Sequence, residues 1–189
     1  KCINMSNINK KFINLCADRS VFSLVPFSEK KFFEYDYKDP LDFFIFFWSQ
    51  YEKFKLKYKR ENTHEINNSY NGSALEIILA FLFTRENIII EKMDEEIDIQ
   101  YVKPDFLLNS KSNKKIFISA KVSIRERWKQ ADWEALKYKE KYNNSMCILL
   151  MNNEKEYQSI LNKLKFLSID KVVLANSDDI NKLIELIKK

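Results

Sequence analysis

KPDFLLNSKSNKKIFISAKVSIRERWKQADWEAL, residues 103–136, changes its hydrophobic period along its length, and its reading decides the fold. Pro104 restricts Lys103 to extended backbone. Phe106, Leu107 and Leu108 follow as an apolar run, so Asp105 stands at the start of a short buried strand. Residues 109–113 carry Asn, Ser and Lys, the composition of a hairpin turn. Over 115–123 the chain alternates as a second strand. Ile116, Ile118, Ala120 and Val122 fall on one face, and Phe117, Ser119, Lys121 and Ser123 on the other. Ser119 and Lys121 therefore point the same way, and a hairpin brings Asp105 alongside them. Beyond Arg125 the period becomes helical, with Trp128, Ala131, Ala135 and Tyr138 spaced by three and four. Gln130 and Glu134 lie one turn apart on a neighbouring face, with Arg127 at the helix start.

Two carboxylates and a lysine brought together in this way suit the hydrolysis of a phosphodiester. That reaction needs a divalent cation held by carboxylates, because the metal polarises the phosphate and generates a nucleophilic water. Magnesium takes one or two carboxylates and keeps several waters. Asp105 and Glu134 are the expected metal ligands. Lys121 is expected to orient or deprotonate the water and to offset the developing negative charge.

These residues carry a resemblance to the PD-(D/E)xK nuclease superfamily. Pro104-Asp105 stands as the PD, and Ser119-Ala120-Lys121 stands where E-x-K is usual. The serine departs from the common pattern and is similar to a branch of type II restriction endonucleases that cut sites built on CC and GG. In that branch, which includes the EcoRII catalytic domain, a glutamate on the following helix replaces the missing acid, about thirteen residues after the lysine. Glu134 lies thirteen residues after Lys121. Arg125-Glu126-Arg127-Trp128 resembles the branch's K/R-(D/E)-R-W cluster, which reads the CC:GG bases. Upstream, residues 68–76, NSYNGSALE, are similar to the start of the helix that precedes the catalytic strands. The similarity spans roughly residues 69–151.

The resemblance implies a restriction-endonuclease-like α/β fold, a mixed β-sheet flanked by helices on both faces. It implies Mg2+ as cofactor, double-stranded DNA as partner and a prokaryotic cytoplasm as location. Asp105, Ser119, Lys121, Glu134 and Glu76 become the candidate catalytic residues. Arg125, Glu126, Arg127, Lys129 and Gln130 become the candidate DNA-binding residues. A palindromic site is most simply read by a two-fold homodimer. Two other readings compete with the restriction enzyme. One is a repair or junction nuclease sharing only the scaffold, which has no need of the paired arginines. The other is a DNA-binding module whose catalytic site has decayed, which has no reason to keep Glu134.

The whole chain is compatible with this. Its 189 residues suit one domain with a sizeable core. We expect an N-terminal helical or irregular segment over 1–68, packed on a nuclease core over 69–189. Lys1 in place of Met raises the expectation of a trimmed chain or a domain of a longer one. Net charge is +5, from 32 basic and 27 acidic residues, mildly basic and compatible with nucleic acid without being diagnostic. A single glycine, with abundant Lys, Asn, Ile and Phe, fits AT-biased coding and accounts for many surface lysines without a function. Cys2, Cys16 and Cys147 are odd in number and far apart, the pattern of buried cytosolic thiols. No apolar run reaches membrane-spanning length.

Outside the central stretch, residues 7–16 suggest a short helix and 21–27 an extended piece. Asp39 and Pro40 read as the N-cap and first residue of a helix to about Arg60. Its stripe of Phe43, Phe44, Phe47, Tyr51 and Phe54 is core or a dimer contact, and Lys53, Lys55, Lys57, Lys59 and Arg60 form a basic tail. Residues 61–71 read as a polar linker holding His64, the chain's one histidine. Ser73 and Glu76 have the spacing of a capping box, opening a helix to about Glu86. Strands are expected over 87–91, 97–101, 145–151 and 172–175. Residues 94–96 read as an acidic turn between the first two. Helices are expected over 154–167 and 178–187, the second capped by Asp178 or Ser177.

Overall fold

A computed structural model of the chain describes residues 29–61, 68–93, 97–125 and 127–189. The expectations for residues 7–16, 21–27 and 94–96, and for Cys2, Cys16, His64 and Glu126, lie outside them. Asp39 Oδ1 accepts from Asp42 N (2.9 Å), so the Asp-Pro pair starts its helix as the side chains dictate. In chain order the elements are helix α1 (Glu29–Glu34), α2 (Pro40–Glu61), α3 (Asn68–Arg85) and strands β1 (Ile90–Met93), β2 (Phe106–Asn109) and β3 (Lys115–Lys121). Then come α4 (Arg127–Lys141), β4 (Ser145–Met151), α5 (Glu154–Leu161), β5 (Lys171–Leu174) and α6 (Asp179–Lys188).

The five strands lie side by side in chain order. β1, β2 and β3 form an antiparallel meander, with Phe106 opposite Ile118 and Asn109 opposite Lys115. β3, β4 and β5 are parallel, with Ser119 opposite Leu149 and Lys121 opposite Met151. Parallel neighbours need a crossover, and α4 and α5 supply the two. The α/β sheet is therefore mixed, with helices on both faces.

Strand alternation divides the core in two. Phe106, Leu108, Ile116, Ile118, Ala120, Ile148 and Leu150 pack under α1, α2, α3 and α6. Leu107, Phe117, Leu149 and Met151 pack under α4 and α5, against Ala131, Ala135, Tyr138 and Ile160. Ser119, Lys121 and Asp105 belong to this second face by the same alternation.

The aromatic stripe of α2 is spent inside the molecule. Phe43, Phe44 and Phe47 are fully buried, so a dimer contact on this helix would have to use its outer face, where Ile45 and Leu56 remain exposed. In the basic tail, Lys55 pairs with Glu52 (3.1 Å) and Lys57 with Glu61 (3.7 Å). Phe32 of α1 is stacked between Phe47 and Phe81, at centroid distances of 4.2 and 4.1 Å. Phe32→Ala is expected to cost about 3–5 kcal/mol. Urea unfolding should show the loss as a lower midpoint of one cooperative transition. A separate early transition would mean that α1 and α2 melt apart from the sheet.

Several elements differ from the sequence expectation. α3 begins at Asn68, so Ser73 lies inside the helix and forms no capping box with Glu76. Tertiary packing overrides the local cap: Tyr51 OH donates to Asn71 Oδ1 (2.9 Å), and Tyr70 packs against the core. The helix ends where Asn87 takes φ 58°, with Ile88 N bonded to Phe83 O (2.8 Å) and Asn87 N to Thr84 O (3.1 Å). That C-cap postpones the strand from residue 87 to Ile90. Residues 97–101 form a turn rather than a strand. Ile97 and Val102 plug the second core while Tyr101, at φ 63°, points outward. β3 stops at Lys121, two residues short of Ser123. α5 stops at Leu161 and gives way to a 3-10 turn over Leu164–Phe166. At α6, Ser177 Oγ accepts from Asp179 N (3.2 Å), while the Asp178 carboxylate takes Asn181 and Lys182.

Candidate active site

The hairpin register brings Asp105 against the end of β3. Its Oδ2 accepts from Lys121 Nζ (2.6 Å) and from Ala120 N (2.6 Å), and the side chain is largely shielded. Ser119 Oγ stands 3.5 Å from the same oxygen, too long for a strong O–H···O bond. Among the described residues, every hydrogen bond to this carboxylate falls on Oδ2 and none on Oδ1.

Glu134 comes from α4, which packs over the same face of β3. It is only 5% exposed. Its Oε1 accepts from Gln130 Nε2 (2.8 Å), and no described residue donates to its Oε2. Burial pushes its carboxyl above the ordinary carboxylate range; Gln130 and Lys121 pull it down, and Asp105 adds to the rise. The two carboxylates and the lysine thus act on one another across a common gap.

Among the described residues, no three His, Cys, Asp or Glu side chains gather as a metal-holding cluster. Two carboxylates, each with an uncommitted oxygen, still fit a cation that keeps most of its waters. Cys147, on the buried β4 strand opposite Phe117, donates its thiol to Ala135 O (3.7 Å), and burial pushes that thiol up to about 12.

A cleft of about 740 Å³ opens beside Lys121, between the first half of α3 and the loop that follows β3. Lys121, Arg125 and Arg127 line it from one side, and Glu76 and Gly72 from α3 on the other. Among the described residues that line it, three cations stand against one carboxylate, a balance suited to an anionic ligand. Arg125 has φ 41°, a left-handed conformation that costs an L side chain about 1–2 kcal/mol. Arg127 opens α4, and its Nη2 donates to Ser123 O (2.7 Å).

Of the sequence candidates, Asp105, Ser119, Lys121 and Glu134 converge, and Glu76, Arg125 and Arg127 share the cleft beside them. Gln130 is turned back onto Glu134. Lys129 lies over the Trp128 ring (5.7 Å), with Lys163 also over that ring (5.1 Å). Glu156, at the start of α5, was not among the candidates. Its carboxylate accepts from Ser123 Oγ (3.1 Å) and Ile124 N (2.5 Å), in the loop that carries the arginines. Asn153 and Glu156 have capping-box spacing, which in sequence hides any longer reach.

No family model matches the chain, and no curated protein matches it. Its fold does have a solved counterpart, titled as a complex of the restriction endonuclease PspGI with substrate DNA. The two superpose with a TM-score of 0.51 at 19% identity, over 100% of this chain and 83% of the other. At that identity the likeness speaks for architecture. The chain has a restriction-endonuclease-like fold, and Asp105, Lys121 and Glu134 meet at the end of its central strand, β3.

Proposed function

We propose that this protein is a magnesium-dependent type II restriction endonuclease. It would hydrolyse phosphodiester bonds of double-stranded DNA at a short palindrome-like site containing CC and GG, such as CCWGG or CCNGG. The observation that carries the reading is the convergence of Asp105, Lys121 and Glu134 beside a cleft lined by Arg125 and Arg127.

Asp105 and Glu134 would hold the cation. Bound magnesium supplies positive charge that polarises the phosphodiester and eases ionisation of water. Lys121, held on Asp105 Oδ2, keeps its ammonium at the cleft wall, where it can orient the attacking water and stabilise charge on the phosphate. Glu76 adds a carboxylate on the facing wall. Ser119, a hydroxyl on a weak bond, fills the place of an acid without doing its work. Arg125 and Arg127 supply the guanidinium forks that suit guanine edges. Paired arginines favour an enzyme that reads sequence over one that reads DNA shape.

Incubating the protein with plasmid DNA and magnesium, then sequencing the fragment ends, tests the proposal. Defined ends at sites containing CC and GG are expected, and ends scattered at random would refute site-specific cutting. A palindromic site also calls for two chains, each cutting one strand. Sedimentation with a cognate duplex should give two chains per site, whereas one chain per site would replace the homodimer by sequential nicking.

A further inference from the structure

Glu156 sits three residues after Asn153, the N-cap of α5, whose side chain accepts from Glu156 N (3.2 Å). In a capping box the glutamate at this position turns back to the N-cap's own N–H. Here both carboxylate oxygens go elsewhere. Oε1 takes the Ser123 hydroxyl (3.1 Å) and Oε2 the Ile124 amide (2.5 Å), each more than thirty residues earlier in the chain.

The stretch so held connects β3 to α4. Ile124 is buried in the second core, so its amide needs an acceptor within the protein. On the far side of the peptide, Ile124 O accepts from Arg127 N (2.6 Å) and Ser123 O from Arg127 Nη2 (2.7 Å). Arg125, with its unfavourable φ, lies between these ties. A non-glycine residue persists in that conformation only where its surroundings over-determine it. Among the hydrogen bonds of the described residues, the Glu156 carboxylate is the tie that reaches this loop from another element of the fold.

We propose that Glu156 is a positioning residue, holding the Ser123–Ile124 backbone so that Arg125 and Arg127 are presented to DNA in one fixed geometry. The inference rests on the DNA-reading function proposed above, and deepens it by naming what sets the angle of the readers. Glu156 does not itself line the cleft, which it meets only through Ser123, and it shares no hydrogen bond with Asp105 or Glu134. Its loss should blur which sequence is chosen without removing the chemistry.

The test is a series, Glu156→Gln and Glu156→Ala, measured against the unaltered protein in three ways. Gel shifts on a CC:GG duplex and on a scrambled duplex give the discrimination ratio. Thermal melting reports the fold, and timed trypsin nicking after Arg125 or Arg127 reports order in the loop without any DNA. For Glu156→Ala we expect discrimination to fall on the order of tenfold, as for the misplacement of one bidentate reader. Affinity for the scrambled duplex should hold, and nicking should accelerate severalfold. Glutamine keeps one acceptor oxygen, so Glu156→Gln should fall between the two. This variant decides the matter should alanine fail to fold. Full discrimination in Glu156→Gln, together with full discrimination in any folded Glu156→Ala, overturns the positioning role, even if nicking speeds up. Equal losses on both duplexes overturn it as well, since a loop needed only for the fold would weaken all binding alike. An unaltered protein that shows no preference between the duplexes overturns the DNA-reading proposal itself, and this inference falls with it.

Discussion

Glu134→Gln is expected to abolish DNA cleavage while making the protein more stable. The carboxyl is buried and its ionisation is disfavoured by that burial, with Asp105 adding repulsion. Glutamine keeps the acceptor for Gln130 Nε2 and removes the charge. A gain on the order of 1 kcal/mol, or roughly 2–4 °C in melting temperature, follows for a chain of this size. The amide cannot serve as an anionic metal ligand, and losing one removes several kcal/mol of transition-state stabilisation, roughly 10³-fold in rate.

The pH dependence separates the two effects. A carboxyl whose folded pKa is raised holds its proton in the native state after the unfolded chain has released its own. Its contribution to stability is present below the unfolded value and is lost as pH rises through the folded one. The variant's advantage should therefore grow from the ordinary carboxylate range upward and then level off. Cleavage by the unaltered protein should also rise as Glu134 ionises, at lower pH than in the metal-free melts, because a bound cation favours the carboxylate. Melts and cleavage rates between roughly pH 4 and 8 would show both slopes. Cutting at near-normal rate by Glu134→Gln would remove the glutamate from the proposed site. Asp105→Asn and Lys121→Ala should also abolish cleavage, yet lower stability, because each strands the partner of a shielded ion pair. Ser119→Ala should keep appreciable activity, because its 3.5 Å contact carries little energy.

This contrast among neighbours reflects what one-dimensional patterns can express. The faces of β2 and β3 were legible because a period of two leaves no choice once Phe106, Ile116 and Ile118 must be buried. That alternation put Asp105, Ser119 and Lys121 on one side, and helical spacing brought Glu134 over them. Turns were harder to read. The chain has one glycine, and among the described residues the left-handed ones are Asn87, Tyr101, Asn113 and Arg125. Asparagine tolerates that geometry and marks a turn; Tyr101 and Arg125 do not, so residues 97–101 read as a strand. The early start of α3 depends on Tyr51 reaching Asn71, and the loop hold depends on Glu156 reaching Ile124. Contacts between distant elements leave no local period to detect.

Arg127→Ala is expected to cost ten- to a hundredfold in binding to a CC:GG duplex. Guanine presents O6 and N7 in the major groove, and one guanidinium can donate to both, a contact worth about 1–3 kcal/mol of discrimination. Arg127 is exposed at the first position of α4, and one of its terminal nitrogens is already bonded to Ser123 O (2.7 Å). That tie limits the guanidinium's freedom before DNA arrives, so less entropy is lost on contact than for a loose surface arginine. Arg125 has a strained backbone, and among the described residues no hydrogen bond steadies its side chain, so Arg125→Ala should cost less. Arg127→Lys is the sharper control, because it keeps the charge and loses the planar fork. If Arg127 reads a base, lysine should leave affinity for a scrambled duplex unchanged and recover little on CC:GG. Non-specific binding depends on counterion release and should hardly change with the alanine variant beyond the loss of one phosphate-range charge. Gel shifts on both duplexes at fixed salt decide between the roles. Equal losses on the two would make Arg127 a phosphate clamp and move the sequence reading to another part of the cleft.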